Sequence, residues 1–190
     1  MKTYILIITS VLAIFSSCSS PQKTDKTNID KIYNSLKDGQ TKAIIKIDGK
    51  EFYPKESIFS SDIIADNTFF RANLFDQFES NLIINFGTER WHATKPYNLK
   101  LEEGQTIEGS LMIGKILDKE KRIGEGYLMT EGEITLEAFS KEKCVVVVKG
   151  KVGKFEAQST PEKWLTVEAI IVSKRPKTTL VNLKEEGLYF

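Results

Sequence analysis

Gly132-Glu-Ile-Thr-Leu-Glu-Ala-Phe139, followed after four residues by Cys144-Val-Val-Val-Val-Lys-Gly-Lys-Val-Gly153, decides the structural class of this 190-residue chain. In the first segment Ile134, Leu136 and Ala138 alternate with Glu133, Thr135 and Glu137. That period of two is the mark of an antiparallel strand with one face in water. Val145 to Val148 are apolar on both faces, which places their strand centrally in a sheet. Gly150 and Gly153 predict a bulge or bend where a long strand turns a corner. Cys144, at the head of the valine run, reads as a small buried hydrophobe rather than a reactive thiol.

The same period extends outward through most of the chain. Ala43-Ile-Ile-Lys-Ile47 runs into Asp48-Gly49, and Glu51-Phe-Tyr53 resumes after it, which predicts a hairpin. Further strands are expected over 67–75, 81–86, 97–101, 106–116, 126–130, 133–139, 144–157 and 165–173. Phe70, Ala72 and Leu74 share one face, as do Leu82, Ile84 and Phe86. Strands do not alternate with helices and no repeat is present, so the expected fold is all-β, an antiparallel β-sandwich or a partly open barrel. One helical signature precedes it. Ile29, Ile32, Tyr33 and Leu36 share a helix face, with Thr27 and Asp30 resembling a capping box and Gly39 expected as the C-cap. A short amphipathic helix that packs on the β domain follows, within a single domain over 29–190.

The segments 132–139, 145–152, 153–157 and Val167-Glu-Ala-Ile-Ile171 resemble the closing strands of uncharacterised β-sandwich lipoproteins of Bacteroidota-type bacteria. That family has no assigned activity. The resemblance therefore implies a fold and a location, and no site.

The first residues carry an address. Met1-Lys2 is a short positive start, and Tyr4 to Phe15 is mostly apolar but shorter than the roughly 20 residues that span a bilayer as a helix. With Ser16-Ser17 before Cys18, residues 1–17 read as a lipoprotein signal peptide and Cys18 as the lipidated residue, although Phe15 stands where Leu is usual. Residues 18–28 are a polar tether of the kind an anchored domain needs. Two Cys in the chain then leave Cys144 without an intramolecular disulfide partner. Ser19, rather than Asp, after the anchor favours the outer over the inner membrane.

Composition narrows the function. With 27 Lys and Arg against 26 Asp and Glu, there is no excess of positive charge for nucleic acid. A single His, His92, and the absence of a Gly-x-Ser-x-Gly elbow give nucleophilic catalysis no constellation, so no catalytic residue, metal or cofactor is expected. Gly109 to Lys115 misses a phosphate-binding loop because Ile116 stands where Ser or Thr is needed. Gly124-Glu-Gly126 lacks the third Gly of a dinucleotide site. Trp91, His92 and Trp164 are the binding candidates, expected at loop rims where amphipathic rings meet partners. The expected function is a non-enzymatic, lipid-anchored protein of the periplasm or outer membrane that binds an envelope protein or glycan. The alternatives are a small lipocalin-like barrel carrying an apolar ligand, or an immunity or inhibitor lipoprotein.

Overall fold

Asp48 and Gly49 both have positive φ, 47° and 74°, the geometry that a two-residue hairpin turn requires. They join β1 (Gln40–Ile47) to β2 (Lys50–Glu51), as the dipeptide predicts. The computed structural model describes residues 26–102, 109–157 and 159–190. The expected signal peptide, Cys18 and the tether up to residue 25 lie outside the described residues.

Among the described residues the chain continues through β3 (Phe59–Ala65), β4 (Phe70–Asp76), β5 (Asn81–Phe86), β6 (Tyr97–Leu101), β7 (Gly109–Asp118) and β8 (Ile123–Phe139). It ends with β9 (Lys143–Gly153), β10 (Leu165–Lys174) and β11 (Lys177–Leu180). Eight of these strands close into an antiparallel barrel in the order β3-β4-β5-β7-β8-β9-β10-β1. β1 pairs with β10 from Thr41↔Ser173 to Ile47↔Val167, and the ring shuts where Gln40 and Thr41 meet Ser60 and Phe59. β6 lies along the second half of β8, and β11 runs parallel to β3. The expected sandwich or partly open barrel is corrected to a closed barrel. Closure depends on the β1–β3 seam, and β3 has no clean alternation to announce it, because Ser60-Ser61-Asp62 reads as a turn.

β8 is unbroken over 17 residues where the sequence reads as two strands. Gly132 sits mid-strand at φ +125°, next to a register shift between Met129 and Glu131, and pairs with Gly150 of β9. The irregularity expected at Gly150 is present as this glycine pair beside the register shift. Gly153 ends β9 and leads into a 3-10 turn over Phe155–Ala157.

Inward side chains fill the barrel. Phe70 stacks on Phe86 with centroids 4.7 Å apart, and Trp91 and Phe139 meet Phe70 edge-on at 5.7 and 5.3 Å. At the other end of the interior Phe52 and Tyr53 pack edge-to-face at 4.9 Å. The segment after β11 adds Leu188 to this core, and Phe190 exchanges two backbone hydrogen bonds with Phe139.

The helix α1 (Lys26–Ser35) lies on the outer wall. Ile29, Ile32 and Leu36 bury themselves against Val145, Val147 and Val172, while Val146 and Val148 face the barrel interior. This explains why the valine run is apolar on both faces. Thr27 lies inside the helix rather than at its cap. Gly39, at φ +80°, belongs to the turn entering β1, where its N–H donates to the Lys174 carbonyl, so the C-cap expectation is corrected.

Candidate binding groove

β7 and β8 form a hairpin whose outward residues do not follow the usual polar pattern. Met112 is 40% exposed, Leu117 57% and Ile123 48%, and Phe155 at the end of β9 is 77% exposed. Between them Gly114 pairs directly with Gly126 across the two strands. Neither glycine adds a side chain there, and the Asn81 side chain of β5 lies over Gly114, at the floor of an open groove of about 730 Å³ whose sides include Met112, Leu128 and Phe155. Leu117 marks an irregularity in the pairing between Ile116 and Asp118, and a bulge of this kind re-aims side chains at a strand end. Lys154 and Glu156 supply a charged edge. A contiguous apolar surface with a polar rim is the form taken by interaction sites on soluble domains.

Behind this wall the inward face carries a polar cluster. Lys115 Nζ lies 3.2 Å from Glu125 Oε2 and 4.3 Å from the centroid of the Phe52 ring. The Tyr127 hydroxyl donates to Glu125 Oε1 at 2.8 Å. Burial works against the charge of Glu125, but the hydrogen bonds from Tyr127 and Lys115 outweigh it and hold the carboxyl below its ordinary value. Burial, then the bond to Glu125, pushes the Tyr127 hydroxyl up to about 12. The cluster braces the hairpin, and Glu125 and Tyr127 also reach the groove lining, where they add polar groups to its apolar sides.

The residues expected from sequence are dispersed. Trp91 is a core residue and not a rim residue: it is 2% exposed, its indole N–H donates to the Asp66 carbonyl at 2.8 Å, and its ring meets Phe70, Phe86 and Tyr97 edge-on. His92 is half-buried beside it, with Nε2 3.1 Å from Asn67 Oδ1. Burial, and then the charges of Lys95 and Arg90, lower its pKa. Trp164 is half-buried at the other end of the barrel, donating its indole N–H to Ala157 O at 3.0 Å. An added Cβ on Gly153 would sit 3.0 Å from its ring, so Trp164 packs close behind the turn that carries Phe155. Neither Trp164 nor His92 is among the residues that line the groove. The signal that marks the groove was present in the sequence as Gly109 to Lys115 and Gly124 to Gly126, two near-matches to phosphate loops that are strands here.

Cys144 is buried in the core, and burial pushes its thiol up to about 12. Cys144 and Tyr127 both hold their protons more tightly folded than unfolded. The stability they contribute is complete below their ordinary values of 9.0 and 10.0 and is lost as pH rises toward 12. Melting temperature is expected to fall progressively above pH 9, and Cys144→Ser to flatten part of that decline. A disulfide-exchange reagent at pH 8 should leave Cys144 unmodified until denaturant is added. Rapid labelling of the native protein would contradict this placement.

The chain matches no protein-family model, no curated protein and no solved structure.

Proposed function

We propose that this chain is a non-enzymatic, lipid-anchored protein of the bacterial envelope, held to a membrane through Cys18, that binds another envelope protein through the Met112–Phe155 groove. The observation that carries the binding reading is the gathering of four exposed large apolar side chains, Met112, Leu117, Ile123 and Phe155, around one groove. The Ser16-Ser17-Cys18 junction carries the anchor, and Ser19 favours the outer membrane.

A photo-crosslinking residue at position 155 in cells is expected to yield a discrete adduct, and the same residue at exposed Lys46 on the outer wall is expected to yield none. Phe155→Asp should weaken capture of that partner at least tenfold. Indistinguishable crosslinking profiles at the two positions would remove the groove reading. Metabolic labelling with palmitate should mark the wild-type chain and not Cys18→Ala.

A second reading, an apolar ligand inside the barrel, draws on the closed eight-stranded ring, an architecture that holds small ligands elsewhere. The stacked rings of Phe70, Phe86 and Tyr97 and the packing around them weigh against it. Native mass spectrometry of the purified protein separates the two, since a carried lipid adds a fixed mass.

A further inference from the structure

We infer that the barrel is mounted base-down, with its α1 end toward the bilayer and the groove held at the far end; this rests on the anchor reading above. α1 is fastened to the barrel at several points. Asp30 Oδ1 is 3.2 Å from Lys143 Nζ, and the Tyr33 hydroxyl donates to the Glu142 carbonyl at 3.4 Å. The ammonium groups of Lys143 and Lys174 each lie 5.2 Å from the Tyr33 ring centroid. Just past the helix, Arg175 joins Asp38 at 2.8 Å and Glu142 of the β8–β9 turn at 2.6 Å.

Exposed ion pairs hold little individually. Here they flank the apolar seat of Ile29, Ile32 and Leu36, and all fall where β9 begins and β10 ends, at the paired residues Lys143 and Lys174. The helix start is therefore fixed near that end, because Lys26 lies only about 6 Å of helical rise before Asp30.

Chain length then sets the stand-off. Eight residues of chain, the spacing from Cys18 to Lys26, reach at most about 29 Å. The groove lies at the opposite end of β9, since Phe155 follows its last residue, Gly153, and Lys143 is its first. A strand of that length spans roughly 36 Å. With its base held within that reach of the anchor, the barrel has its groove end farther out by most of the length of β9, and that end meets water. The groove then meets a protein arriving through the aqueous compartment and not the lipids of the anchoring leaflet.

The full lipidated chain, reconstituted in vesicles of phosphatidylethanolamine and phosphatidylglycerol with a trace of headgroup-labelled acceptor lipid, tests this mounting. A donor dye is placed at Lys31→Cys on α1 or at Glu120→Cys on the hairpin tip; Cys144 is buried and does not compete. Energy transfer is expected to be at least twofold higher from position 31. Inserting twenty Gly and Ser residues after Ser20 should narrow that difference. Equal transfer from the two positions, or more from 120, in protein that floats with the vesicles overturns the mounting alone. Failure of the chain with Cys18 intact to float refutes the anchor, and the mounting with it. A second pair, Asn34→Cys and Lys121→Cys, guards against a variant that fails to fold.

Discussion

Gly132→Ala is expected to lower the melting temperature by roughly 5–20 °C, the sum of overpacking and backbone strain at about 1–3 kcal/mol each. An added Cβ would lie 2.2 Å from the Lys149 carbonyl oxygen and 2.4 Å from Gly150 Cα. Both are backbone atoms of the neighbouring strand, so no side chain can swing aside. The φ of +125° adds strain that any L side chain would feel. Gly39 is the control: it too has positive φ, +80°, but nothing lies within 4 Å of its added Cβ. Gly39→Ala should therefore cost only about 1 kcal/mol, the conformational part alone. Thermal denaturation followed by circular dichroism compares them, and equal shifts would show that β8 and β9 are not closely packed at the Gly132–Gly150 pair.

The second large effect is expected at Phe70, where truncation to Ala should cost about 3–5 kcal/mol. Phe70 is fully buried and ties together β4, β5, the turn at Trp91 and β8 through three ring contacts. Phe75 on the same strand is 54% exposed. Its truncation should change stability by no more than about 0.5 kcal/mol, as is usual for surface positions. The pair also tests register, because a slip of one residue would exchange the inward and outward faces of β4. Denaturant titration of both variants decides this, and a greater loss at Phe75 would invert the barrel wall described above.

What was legible in the sequence was local. The Asp48-Gly49 turn, the alternation in β4, β5 and β8, and the helix face at Ile29, Ile32 and Leu36 each follow from short-range sterics and periodicity, and all are present. The doubly apolar valines pointed correctly to a central strand, although their outward side chains are covered by α1 rather than by a second sheet. Closure was not legible, because Thr41 meeting Phe59 is a pairing that no neighbouring residue encodes, and the parallel addition of β11 to β3, with Lys177 opposite Asp62, is equally non-local. β3 and β11 were missed for that reason, along with the Ser-Ser-Asp run in β3. Trp91 was misplaced because a ring after a strand end resembles a rim contact, and only the tertiary packing of Phe70, Phe86 and Tyr97 draws it inward. The groove was hidden by glycines that resembled phosphate loops until their cross-strand pairing was known.

The hydroxyl of Thr41 donates to that of Ser173 across 132 positions of the chain, at the junction of β1 with β10. During synthesis the first strand is made long before its partner, and stays without it until almost the whole sequence has left the ribosome. Topologies with such distant pairings fold slowly, on the scale of milliseconds to seconds. The seam of the ring is therefore among the last parts of the fold to form, since no N-terminal portion of the chain can seal it alone.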